Sequence, residues 1–227
     1  MRCRLCLSCR HSWIKMEETF DTKAIILDRR PFKEYDNKII VFSREKGKLE
    51  LVARGSKRIR SKTSGHIEPA ILSKLMVVFG KQYDYLGSAV GVCFYSNIKN
   101  DLKKTMTARK ALGLINKLTR EGEVDGQAEV FDLLKKFLDI LDKGKADIEM
   151  LFFSFVLRLS VLIGFCPNLN EWRINADSLD IIKSLLRNDL PNLSYLEVGG
   201  KDRKNISRSI VKFMQYNFDI DSSWFSC

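Results

Sequence analysis

The sequence predicts an α+β protein: a small N-terminal barrel of about five strands followed by a mostly α-helical half. Three observations carry this. Short apolar runs separated by turn residues crowd into residues 22–97, the spacing of a small closed or partly open β-barrel. After Asn97 the apolar residues change to helical spacing. Charge divides at nearly the same place. Residues 23–104 hold 18 Lys and Arg against 8 Asp and Glu, a net of +10, whereas residues 105–227 hold 17 of each.

Residues 1–15, MRCRLCLSCRHSWIK, differ in character from the rest of the chain. Cys3, Cys6, Cys9 and His11 offer four soft ligands of the kind zinc prefers, but no second Cys or His pair gives the usual two-knuckle spacing. The apolar run of a secretory signal does not develop either. The expectation is an extension or mis-called start, with Met16 as the natural beginning of the barrel domain, residues 16–97, and a helical domain at residues 98–227.

Strand signals begin at Thr22. TKAIILDRR carries Ala24 to Leu27, NKIIVFSR carries Ile39 to Phe42, and GKLELVARG comes next across a Glu45-Lys46-Gly47 turn, which makes a hairpin. In its second strand Leu49 and Leu51 share one face and Lys48 and Glu50 the other. Ile67 to Phe79 and Tyr83 to Phe94 supply two further strands. Helices are expected over Asp101–Arg120, Val130–Leu141 and Asp147–Phe165, the last capped by Asp147 and blocked by Pro167. Asp177–Arg187 and Ile206–Tyr216 complete the helical half with weaker apolar stripes.

The most informative stretch is Phe42 to Lys62, in which an ordered strand hands over to a basic tail. Arg54, Lys57, Arg58, Arg60 and Lys62 are interspersed with Gly55, Ser56 and Ser61, small residues that let a backbone approach a ligand and donate to it. A formal charge of +11 concentrated in this half points to an acidic partner, and cations beside aromatic rings suit single-stranded nucleic acid. Phe32, Tyr35, Tyr83 and Tyr85 are the candidate stackers, although barrel core or rim packing would use the same rings. Of the aromatics here, Phe79 and Tyr85 are the ones most expected in the barrel core.

Other classes fare poorly. No apolar run reaches the roughly 18 residues of a membrane span, and Met150–Phe165 is interrupted by Ser154, Arg158 and Ser160. Six cysteines, three of them in the first nine residues, do not form a secreted disulfide framework, and a reducing cytoplasmic setting is expected. Only two histidines exist, His66 reads as a loop residue, no phosphate-binding Gly-Lys-Ser/Thr loop occurs, and the acidic residues are scattered. No catalytic residue, cofactor, metal or small-molecule substrate is therefore assigned.

Residues 23–167 resemble the bacterial recombination mediator RecO family, through TKAIILDRR, YDNKIIVFSREKGKLELVARGSKRIRSK, IEPAILSKLMVVF and FVLRLSVLIGFCP. In the last segment Phe155, Leu157, Arg158, Leu159, Leu162, Gly164, Phe165 and Pro167 carry the likeness. The resemblance implies an OB-fold barrel before a helical domain, and a non-catalytic DNA repair accessory protein of the bacterial nucleoid. Such proteins bind single- and double-stranded DNA, anneal complementary strands, engage single-stranded DNA-binding protein and RecR, and help load RecA. Its DNA surface would fall on Arg30, Lys38, Arg44, Lys46, Lys48, Arg54, Lys57, Arg58, Arg60 and Lys62. Family zinc cysteines would come soon after Pro167, but those positions hold Trp172 and Asn175 and the segment is shortened, so the zinc-binding insertion is expected to be absent. The family's pocket for an acidic partner tail would need basic residues where Phe153 and Ser154 stand, leaving Arg109 and Arg158 as substitutes. The competing reading is an OB-type adaptor for RNA or protein, without annealing activity.

Overall fold

A computed structural model describes residues 19–122, 126–144, 147–172, 174–187, 198–221 and 224–225. The expectations for residues 1–15 lie outside the described residues. Five strands, β1 (Thr19–Pro31), β2 (Asn37–Ser43), β3 (Gly47–Ala53), β4 (Leu72–Val78) and β5 (Asp84–Cys93), close into a barrel in the order β1-β2-β3-β5-β4. All neighbours are antiparallel except β3 and β5, which meet in parallel through the pairs Leu51–Asp84 and Val52–Tyr85. The long β1 pairs with β4 through its first half and β2 through its second, and a register shift between Ile26 and Asp28 marks the bend.

The apolar runs of β1 and β2 follow from burial on both faces. Ala24, Ile26, Ile39 and Val41 fill the barrel with Leu51, Leu75 and Val77, while Ile25, Leu27, Ile40 and Phe42 face outward into the helical core. A strand covered on one side only would alternate. In β3, which lies mostly clear of the helices, Leu49, Leu51 and Ala53 turn inward as the alternation predicts.

The strand expected from Ile67 begins only at Leu72. Before it the chain makes a 3-10 turn, Ser64–His66, and Ile67 and Ile71 plug the barrel from this loop. After β5 a short helix not anticipated from the sequence, α1 (Ser96–Lys99), turns the chain at Tyr95, whose φ is +47°. Tyr95 is held there by donating its hydroxyl to Asp139 at 2.9 Å.

The helical half comprises α2 (Leu102–Leu118), α3 (Gln127–Lys143), α4 (Ile148–Leu162), α5 (Ala176–Arg187) and α6 (Gly200–Phe218). Asp101 and Asp147 cap α2 and α4 by accepting from the first-turn amides. Helix α4 is apolar all round because it is the central pillar, with ten of its residues buried. It stops before the expected Phe165, and Gly164 at φ +91° makes the exit turn. Arg203 of α6 clamps the start of α4, donating to Asp147 at 2.6 Å and to Glu149 at 2.7 Å. Among the described residues no helix is long and apolar enough to cross a membrane.

Candidate nucleic-acid interface

Three loops meet beside the end of β3: residues 32–36 between β1 and β2, residues 54–63 after β3, and residues 79–83 between β4 and β5. Register brings them together, since Asn37 pairs with Ala53 and Leu51 with Asp84. Polar side chains then fasten the first loop to the second. Asp36 accepts from the Gly55 amide at 2.8 Å, and the Lys57 amide donates to the Tyr35 carbonyl at 3.0 Å. Beneath them the buried Asn37 donates to Ser56 Oγ at 2.8 Å, and Ser56 donates to the Ala53 carbonyl at 2.8 Å. Gly55 supplies the φ of +64° that the turn requires. Two consecutive turns, Arg58 N–H to Gly55 O and Ser61 N–H to Arg58 O, fold the basic segment back on itself.

Cations and rings alternate across this surface. The Arg54 guanidinium lies 3.8 Å from the Tyr85 ring centroid and Arg58 lies 5.2 Å from that of Tyr35. Lys38 Nζ sits 5.4 Å from Phe32 and 5.9 Å from Tyr83, two rings that meet edge to face at 5.4 Å. Lys33 adds another ammonium 5.5 Å from Phe32. Arg54, Lys57, Arg58, Arg60 and Lys62 are all exposed, and none has a carboxylate partner among the described residues. Uncompensated cations held on hydrogen-bonded turns can neutralise phosphates with little reordering, and the adjacent rings offer faces to bases.

Of the other expected DNA residues, Lys38 lies on this surface but is shared with Glu50 through an ion pair, and Arg30 pairs with Asp28 at 2.7 Å. Arg44, Lys46 and Lys48 stand at the far end of the β2–β3 hairpin, where Ser43 pairs with Gly47. Arg44 grips Asp132 of α3 through two bonds of 3.1 and 3.0 Å, and Lys46 lies over Phe20 and Phe79. Lys48 donates to the carbonyls of Asn116 and Thr119 at the end of α2, at 2.7 and 3.3 Å. Its half-buried ammonium satisfies acceptors that a helix terminus leaves open. Burial pushes its pKa below the ordinary lysine value. Lys48→Ala is therefore expected to lower stability by about 1.5–3 kcal/mol, the range for hydrogen bonds from a charged group. In urea denaturation this shifts the midpoint, while the salt dependence of DNA binding stays as in the parent.

Tyr85, expected in the barrel core, is instead half-buried beneath Arg54. Phe79 does pack against the barrel interior. Lys33 and the scaffold residue Asp36 did not stand out in the sequence, and Ser56, expected to donate to a ligand, is buried and bonded to Asn37 and Ala53 instead. Lys33 was open to notice from its place between Phe32 and Tyr35, whereas the bonds of Asp36 and Ser56 cross 19 residues and leave no local signature.

The two candidates for the partner-tail pocket are not brought together. Arg109 is exposed on α2 and lines a cavity of about 400 Å³ at the barrel seam with Arg30 and Lys117. Arg158 reaches under α5, donating through Nε to the Leu185 carbonyl at 3.2 Å, and Phe153 and Ser154 are buried. Of the two positions expected to replace zinc cysteines, Trp172 packs against Phe213 with centroids 5.9 Å apart, and Asn175 donates to Asp202 at 3.0 Å.

Residues 16–92 match the family model described as recombination protein O N terminal, and residues 99–172 match recombination protein O C terminal. A DNA repair protein RecO of Pelotomaculum thermopropionicum is 25% identical over 235 residues, covering 89% of this chain and 90% of that protein. That of Caldanaerobacter subterraneus is 26% identical, over 86% and 78% of the two chains. That of Alkaliphilus metalliredigens is 20% identical, over 87% and 93%.

Proposed function

Because the chain belongs to the recombination protein O family of DNA repair proteins, with an OB-fold N-terminal domain, we propose that it holds single- and double-stranded DNA for pairing. In this reading it anneals complementary strands without catalytic turnover. It helps load a recombinase, RecA, onto DNA covered by single-stranded DNA-binding protein, acting with RecR in the cytoplasm at the nucleoid. The observation that carries the reading is the set of five exposed cations at residues 54–62. They lack carboxylate partners among the described residues and stand on a loop fastened to Tyr35 and Asp36.

The mechanism is electrostatic and geometric. Two strands repel because each carries a dense line of phosphates, and cations that neutralise part of one line lower the work of approach. Arg54, Lys57, Arg58, Arg60 and Lys62 take the phosphates, while Tyr35, Phe32 and Tyr83 support bases by their faces and leave the pairing edges open. No sequence preference follows from such contacts. Tyr35 is 48% exposed, so its ring is available to a base. Tyr35→Ala is expected to weaken single-strand binding by about 1–3 kcal/mol, measured by fluorescence anisotropy, with no change in salt slope because no charge is lost.

The test of the function is pairing of fluorescently labelled complementary oligonucleotides, bare and coated with single-stranded DNA-binding protein. The protein should accelerate both, to a similar degree for unrelated sequences. Failure to accelerate either, combined with tighter binding to RNA than to DNA, would replace annealing by an RNA-binding role.

A further inference from the structure

A second concavity lies far from the barrel loops in sequence. It is a groove of about 660 Å³ between α6 and the segment that succeeds α4, a size typical of small-ligand sites. Helix α6 builds one wall with a single stripe. Asn205, Arg208, Lys212 and Tyr216 recur at three- and four-residue intervals, while Ile206, Ile210 and Met214 on the other side are buried in the core. Trp172 and Cys166 belong to the facing wall.

Arg208 and Lys212 have no carboxylate partner among the described residues, and no Asp or Glu among them lines the groove. This local excess stands out in a half of the chain whose acidic and basic residues are equal in number. Tyr216 is 91% exposed, so its ring is not spent on packing. Cations one helical turn apart, an unoccupied aromatic face and an amide at Asn205 together match a nucleotide chain, whose phosphate, base face and base edge need those three groups. An acidic peptide without aromatic residues would use the two cations and pair its backbone with Asn205, but would bring no planar face to the Tyr216 ring.

We infer that this groove is a second nucleic-acid site, which takes a short single-stranded segment while the barrel loops hold another strand. The inference rests on the proposed annealing role and explains how one chain presents two strands to each other. Helix α6 lies beyond the residues matched by either family model, while Cys166 and Trp172 of the facing wall fall within the second.

The experiment counts strands. Native mass spectrometry of the full-length protein with an excess of short oligo-dT should show two strands bound, and Arg208→Glu combined with Lys212→Glu should reduce this to one. First-strand affinity should stay within about two-fold, while the annealing rate falls about ten-fold or more. Tyr216→Ser, at a position too exposed to affect folding, should weaken the second strand without altering its salt dependence. Cys166 is exposed in the groove, so oligo-dT should slow its alkylation, read by peptide mass spectrometry, even after Lys57, Arg58 and Arg60 are replaced by Ala. One strand per wild-type chain, or two strands retained by the double variant, would overturn the inference while leaving the barrel reading intact. So would protection of Cys166 by a synthetic Glu-rich peptide but not by oligo-dT. If the wild-type protein bound no DNA, the proposed function itself would fall.

Discussion

Replacing Lys57, Arg58 and Arg60 together by Ala is expected to flatten the salt dependence of DNA binding. The log–log slope should fall by about 2.1 for single strands and about 2.7 for duplex, from about 0.7 and 0.9 per lost phosphate contact. Extrapolated from 1 M salt, the single-strand change amounts to roughly 100-fold weaker binding at 0.1 M. The loss should be equal for unrelated sequences, since phosphate contacts carry no sequence information. All three side chains are exposed, and the turns beneath them are held by backbone amides and by Asp36, Asn37 and Ser56, so folding should survive. Anisotropy titrations between 0.05 and 0.3 M salt (about the range where such slopes are linear), with circular dichroism as a fold control, check this. An unchanged slope in the folded variant would remove the assigned surface.

The second large effect concerns stability. Phe137 of α3 is fully buried and packs on Phe155 of α4 with ring centroids 4.7 Å apart, at the centre of the helical core. Phe137→Ala deletes a ring that neighbouring helices cannot fill, and is expected to cost about 3–5 kcal/mol. That is a large part of the roughly 5–15 kcal/mol that holds a typical domain folded. The urea midpoint should fall with little change in m-value. The barrel interior is a separate cluster around Ile26, Ile39, Leu51 and Leu75, so protein that remains folded should bind DNA as before. A loss below about 1 kcal/mol would mean that the site collapses around the vacancy, contrary to a close-packed pillar at α4.

What could be read from the sequence depended on whether its cause was local. The runs at Ala24–Leu27 and Ile39–Phe42, the Glu45-Lys46-Gly47 turn, and the change of period after Asn97 identified the barrel and the bundle because each is a short-range pattern. Asp147 was recognisable as a cap for the same reason. The basic tail stood out because Arg54 to Lys62 crowd five charges among small residues.

Assignments that depended on distant partners were not legible. Lys48 and Arg44 look like any other cations of the hairpin, yet they meet acceptors 71 and 88 residues away. Tyr85 has the character of a strand core residue, and only the curl of the chain at Arg54 places a guanidinium over its ring. The groove on α6 leaves no sequence signal for a similar reason. Arg208, Lys212 and Tyr216 read as an ordinary solvated face until the segment after Pro167 supplies the opposite wall.

The most direct test of the central claim is hydrogen–deuterium exchange of the full-length protein with and without a single-stranded oligonucleotide. The claim is that DNA sits on three loops beside the end of β3. Within the barrel half, protection on binding should therefore concentrate in residues 32–37, 54–63 and 79–85, with little change at the far end of the hairpin around Arg44 to Lys48. Protection at that far end, with the three loops exchanging as in the free protein, would contradict it.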